Sequence, residues 1–137
     1  MNRTDLQSLS RLRLRDARLL LRSQRFESAY YLAGYAVECA LKACIAKKIK
    51  RFDFPDKKLA NASFTHDLEK LVEIAGLSAK LAGQLASKEF GANWGTVKDW
   101  SEESRYIPFI APKLARDLYS SIVARQNGIM TWLKQQW

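Results

Sequence analysis

The sequence predicts an all-α fold, an antiparallel bundle of the four-helix type with an additional short helix. Apolar residues recur at helical spacing along three long segments, no stretch alternates apolar with polar residues as a half-buried strand does, and the connections between periodic segments are short. At 137 residues, 47% of them hydrophobic, the chain is long enough to bury one core as a single domain over 1–137 without a metal or disulfide to staple it.

The first helix is expected to begin after Thr4 as N-cap and to run to about residue 23, with Leu6, Leu9, Ala17 and Leu20 on its apolar face. At about 100° per residue, Arg11, Arg15, Arg18, Arg22 and Arg25 gather opposite as a basic stripe, with little acidic relief beyond Asp16 and Glu27. Such a stripe is either solvated surface or a face that meets polyanions or a partner protein. Arg13 falls inside the apolar arc, as an aliphatic stem over the core with its head reaching water or a carboxylate, or as a subunit-interface arginine.

The second helix, about residues 26–50, is apolar around most of its circumference and belongs at the centre of the bundle. Ala33, Gly34, Ala36 and Ala40 allow close helix approach. The remaining narrow seam carries Tyr31, Tyr35, Glu38 and Lys42, spaced four, three and four apart and so stacked on one side. Residues 51–64, with Pro55 and Asn61, are expected to form a loop. A short helix then opens near Thr65, with His66, Asp67 and Glu69 in its acidic first turn and Gly76 as its stop. Another helix spans about residues 78–89 and ends at Gly91. Residues 92–108 are aromatic and irregular apart from one helical turn over 97–104. The last helix begins at Pro112 and continues close to Trp137, with Gly128 weakening its second half. Its Met130, Trp132, Leu133 and Trp137 exceed what one stripe needs, so they are expected to serve a homodimer interface.

The net charge of +9 favours acidic partners such as nucleic acid, nucleotides or an acidic protein surface. The scattered glycines exclude a P-loop or Rossmann nucleotide site. One histidine and two cysteines that point in different directions, Cys39 and Cys44, give no metal site, and no cofactor is expected. The cysteines read as reduced, buried small hydrophobes. The polar start has no signal-peptide core, and Glu38 and Lys42 interrupt the longest apolar run. Neither export nor a membrane span is therefore expected, and the location expected is cytoplasmic. Glu102 and Glu103 are adjacent, diverge on a helix and read as solvated.

What remains is a constellation from separate segments: Tyr31, Tyr35, Glu38 and Lys42 on the central helix, His66 and Asp67 at a helix start, and Trp100, Arg105 and Tyr106 in the aromatic segment. In the plainer reading Glu38 pairs with Lys42 or Arg105, and His66 and Tyr106 fasten loops to the bundle. In the other the same residues form a ligand site.

At these residues the chain resembles HEPN domains, named for nucleotide binding in higher eukaryotes and prokaryotes. The resemblance rests on Tyr-Leu-Ala-Gly-Tyr-Ala-Val-Glu-Cys-Ala-Leu-Lys-Ala (31–43), Thr-His-Asp-Leu (65–68) and Trp-Ser-Glu-Glu-Ser-Arg-Tyr (100–106), and it covers nearly the whole chain. It implies a helical bundle that pairs as a homodimer, often encoded beside a minimal nucleotidyltransferase as a toxin–antitoxin pair. Many members of that family are metal-independent ribonucleases, with an arginine followed four to six residues later by a histidine and a cleft shared by two copies.

This chain departs from that pattern. Arg105 is followed by Tyr106, Ile107, Pro108, Phe109, Ile110 and Ala111, and its one histidine, His66, lies upstream. RNA cleavage needs one group to take the 2′-hydroxyl proton and another to protonate the leaving oxygen, and arginine is a poor proton carrier near neutral pH. The expected function is therefore a HEPN-like module that binds a nucleotide, RNA or a partner protein through a basic, aromatic-lined cleft. Arg105 would meet phosphate, Tyr106 or Trp100 would stack on a base, and Glu38 with His66 would orient them. The alternatives are an atypical metal-independent ribonuclease using His66 and Arg105, and a partner subunit of a nucleotidyltransferase that docks through the arginine stripe.

Overall fold

The computed structural model describes residues 1–51 and 57–137, and every regular element among them is a helix. Pro55, assigned by sequence to a loop, lies outside the described residues.

Helix α1 (Arg3–Arg22) starts earlier than expected because Asn2, not Thr4, is its cap. Asn2 Oδ1 accepts the Asp5 N–H at 2.8 Å and Asp5 Oδ2 accepts the Asn2 N–H at 3.2 Å, so two otherwise unpaired donors are satisfied reciprocally. Gln24, at φ 60°, turns the chain into α2 (Phe26–Arg51), which runs back along α1. Arg25 therefore sits in the link, and only Arg11, Arg15, Arg18 and Arg22 of the basic stripe share the helix. Where the two helices pack, the buried Ser10 hydroxyl donates to the Ala36 carbonyl at 2.7 Å, and Ala33, Ala36 and Ala40 are wholly buried. The head of Arg13 pairs with Asp16 at 3.1 Å.

The segment expected as a loop contains helix α3 (Lys57–Ala62), whose lysines, leucine and alanines are good helix formers. In α4 (Leu68–Ile74), Asp67 is the N-cap, accepting the N–H groups of Glu69 and Lys70 at 3.0 and 3.2 Å, so His66 and Asp67 precede the first turn rather than forming it. Gly76, at φ 72°, ends that unit in the left-handed region, and α5 (Ser78–Gln84) follows.

Helix α6 (Lys88–Lys98) occupies sequence expected to be irregular and passes through Gly91, expected as a stop. Ser87 caps it, and Phe90, Trp94 and Val97, spaced four and three apart, are all buried on one face. Burying each large side chain contributes about 1.5–3 kcal/mol, which outweighs the roughly 1 kcal/mol that each of Gly91 and Gly95 costs in a helix. A 3-10 helix (Glu102–Tyr106) replaces the turn expected over 97–104.

The last segment is not one helix. It divides into α7 (Pro112–Val123) and α8 (Ile129–Leu133). The chain leaves helical geometry at Ala124 (ψ 133°) and turns at Asn127 (φ 63°). The Asn93 amide donates to the Asn127 carbonyl and the Thr131 hydroxyl to the Ala124 carbonyl, each at 2.9 Å, so the carbonyls freed by the break are satisfied. A Cβ at Gly128 would fall on the Ala124 main chain, which is why glycine stands there. With α8 folded inward, Met130, Trp132, Leu133 and Trp137 are buried within the protomer, Trp132 edge-on to Phe90 at 5.6 Å. These residues therefore leave no apolar surplus for a homodimer. Among the exposed apolar side chains, Tyr106, Ile107, Phe109 and Leu114 come close together in sequence, whereas Met1, Leu12, Leu19, Phe64 and Leu85 are scattered along the chain. Trp137 closes the bundle. Its main-chain oxygen accepts from Arg3 Nη2 at 2.8 Å, and the Arg11 guanidinium lies 4.8 Å from its ring centre.

Among the described residues no helix is long and apolar enough to cross a membrane, and no group of three or more histidine, cysteine, aspartate or glutamate side chains is placed to hold a metal ion. Both cysteines are free and buried, and burial pushes the thiols from an ordinary 9.0 up to about 11 for Cys39 and about 12 for Cys44. A thiol with a raised folded-state pKa keeps its proton where the unfolded chain has lost it. Their contribution to stability is thus intact below about pH 9 and declines as the pH rises toward about 11 for Cys39 and about 12 for Cys44. The melting temperature should fall over that window, and the fall should be shallower in Cys39→Ala/Cys44→Ala. Equal slopes in the two proteins would show that other groups govern the alkaline limit.

Candidate functional site

One line along α2 organises the site. Tyr31, Gly34 and Glu38 follow at intervals of three and four, so they face the same way. Glu38 is 1% exposed, and its Oε1 accepts from Lys42 Nζ at 2.9 Å and pairs with His66 Nδ1 at 2.8 Å. A carboxylate accepts, which assigns the shared proton to His66 Nδ1 and leaves Nε2 free on a half-exposed ring. Glu38 Oε2 is buried with no hydrogen-bond partner. The i to i+4 spacing delivers Lys42, and the Asp67 cap fixes the start of α4, which brings His66 to the same oxygen.

Gly34 is the seat of Trp100. The indole lies so close to the Gly34 Cα that a Cβ would fall inside it, and it stacks on Tyr31 with ring centres 6.1 Å apart. Tyr31 in turn stacks on Tyr35 at 6.0 Å. Trp100 is 3% exposed, so of the two aromatic residues expected to receive a base only Tyr106 presents an open face. Burial raises the Tyr35 pKa, with its neighbour Cys39 adding to the effect.

Arg105 is exposed at the other end of the line. Its guanidinium lies over the Tyr106 ring at 4.9 Å, and the hydroxyls of Tyr106 and then Tyr31 raise its pKa, holding it charged. Arg105 thus lies near Tyr31 and His66 is held at Glu38, seven residues or about 10 Å along the helix axis, with Trp100 seated on Gly34 between them.

The cleft beside His66, about 410 Å³, is lined by Asp67, Glu69 and Glu102 against Lys98, with Thr65, Trp100 and Ser101 completing it. Lys98 is paired with Asp99 at 3.2 Å, a hydrogen bond that raises its pKa. The cleft is therefore acidic rather than basic, and phosphate is disfavoured there. Cationic surface lies elsewhere: along α1, where Lys134 and Tyr119 join the arginines, and at a groove that carries Lys47, Lys48 and Lys80. Sequence reasoning missed both Lys134 and Tyr119. It also noted Gly34 only as a small residue, although its place between Tyr31 and Glu38 was visible in the spacing.

Neither the curated proteins nor the solved structures give a match to the chain. A family model described as HEPN domain matches residues 8–136, nearly all of the sequence, and the three stretches that form the line along α2 and its neighbours all fall inside that match. The chain belongs to the HEPN domain family.

Proposed function

We propose that this HEPN domain binds RNA or a nucleotide at the Arg105–Tyr106 prong and does not cleave it within a single protomer. The observation that carries the reading is the exposed, charged Arg105 stacked on an aromatic ring that is itself 74% exposed, a pairing suited to a phosphate beside a stacked base. The histidine that would carry a proton is not at that prong. His66 is held two turns away by Glu38, and the cleft in front of it is acidic. Pairing with a second copy or with a nucleotidyltransferase, and a toxin–antitoxin role, belong to the same reading. The exposed Tyr106, Ile107, Phe109 and Leu114 support a protein contact next to the prong.

The test is fluorescence anisotropy with a labelled single-stranded RNA, alongside gel analysis of the same RNA incubated with protein and chelator. Arg105→Gln/Tyr106→Ala should weaken binding about tenfold or more, since stacking alone is worth about 1–3 kcal/mol per base. The RNA should remain intact. Cleavage by the parent protein that disappears in His66→Ala would replace this reading with the ribonuclease one.

A further inference from the structure

A groove of about 400 Å³ runs between α1 and the α7–α8 segment. It lies on the other side of α2 from the prong, because Ala36, which takes the Ser10 hydrogen bond from α1, sits roughly half a turn around α2 from Gly34 and Glu38. Its rim carries Arg11, Arg15, Arg18 and Lys134, its floor is Leu14, Tyr119 and Met130, and no carboxylate lines it.

The acids that α1 and α7 carry beside these residues in sequence are engaged: Asp16 is bonded to Arg13 at 3.1 Å, and Asp117 to Lys113 at 2.6 Å. The side chains of Arg15, Arg18 and Lys134 make no hydrogen bond or ion pair among the described residues, and Arg11 is steadied by stacking on Trp137. The three arginines follow at i, i+4 and i+7, so they rise along the axis by about 6 and then 4.5 Å and form a row about 10 Å long, with Lys134 approaching from α8. Like charges at such spacing repel and weaken a helix. A row of cations with no internal counter-charge, set over an apolar floor, suits an extended anion that brings several negative charges in line.

We propose that this groove binds a linear run of phosphates, supplied by the backbone of an RNA strand or by the tail of a nucleoside triphosphate. Planar guanidinium groups grip phosphate oxygens two at a time, and the floor of Leu14, Tyr119 and Met130 gives the attached sugar or base an apolar surface. The site is independent of the Arg105–Tyr106 prong.

The experiment uses the full chain and a labelled single-stranded RNA, with anisotropy measured between about 50 and 200 mM salt and with ATP and inorganic tripolyphosphate as competitors. The groove variant is Arg15→Gln/Arg18→Gln/Lys134→Gln, which keeps Arg11 and its packing on Trp137. The control, Lys70→Gln/Lys88→Gln/Arg125→Gln, removes the same charge from exposed positions away from the groove and from the α1 arginines. Circular dichroism checks that both stay folded. The groove variant should lower the slope of log affinity against log salt by about 2, since each lost contact with a single strand contributes about 0.7, and should weaken binding about tenfold at low salt. The control should change little. Displacement of RNA by ATP and tripolyphosphate identifies the occupant as a nucleotide tail, and its absence identifies an RNA strand. Equal losses in both variants, or an unchanged groove variant, would overturn the proposal. Loss confined to Arg105→Gln/Tyr106→Ala would remove the groove and leave the prong standing, and loss confined to the groove variant would do the reverse.

Discussion

Lys42→Met is expected to destabilise the fold by about 3 kcal/mol. The change strands the Glu38 carboxylate, 2% exposed at its side chain, with one oxygen already unpartnered and only His66 left on the other. The loss belongs to the low end for a broken buried pair because Lys42 is 22% exposed and water reaches its head. The double change Glu38→Met/Lys42→Met removes both charges, leaves nothing buried and unpaired, and should cost clearly less than the single change. Urea unfolding monitored by circular dichroism gives both values. A double variant no more stable than Lys42→Met would show that the pair is held for its packing rather than its charge.

Gly34→Ala comes second, at about 2 kcal/mol of destabilisation. In an open helix the same change would stabilise by up to about 1 kcal/mol. Here the new methyl meets the Trp100 indole, which must move off Tyr31 and carry the start of the 3-10 helix with it. The expectation is a coupling between the two positions. In a Trp100→Ala background, already weakened by about 3–5 kcal/mol, Gly34→Ala should be neutral or stabilising. Thermal melts of the four proteins measure the cycle, and additive effects would mean that the indole is free to yield.

The class of fold is legible because α1, α2 and α7 carry long apolar periods, and a helix apolar nearly all round, such as α2, has to sit in the centre. Less legible was whatever depends on partners distant in sequence. The apolar period runs straight on from Ile122 to Ile129, and the break between α7 and α8 is stabilised in part by Asn93, which no local pattern connects to Asn127. Helix α6 was obscured by Gly91 and Gly95, although Phe90, Trp94 and Val97 already had the spacing of a buried face. At the site, Glu38 with Lys42 follows from one turn of helix. The arrival of His66 from 28 residues away does not: the sequence placed it in the same constellation, but no spacing fixes its partner. The acidic character of the cleft arose from Asp67, Glu69 and Glu102, which converge only after α4 and the 3-10 helix have packed on α2.

The bond from Arg3 to the main-chain oxygen of Trp137 spans 134 positions. Contacts of such separation contribute nothing until the intervening chain is in place, because loop-closure entropy has to be overcome first. The α1–α2 hairpin, joined by a three-residue link, has no such delay. An early hairpin would therefore display the arginine row on a bare helix, without the Lys134 wall or the floor of Tyr119 and Met130. The groove is thus a product of completed topology, and a nascent or partly opened chain would meet polyanions through loose surface charge alone.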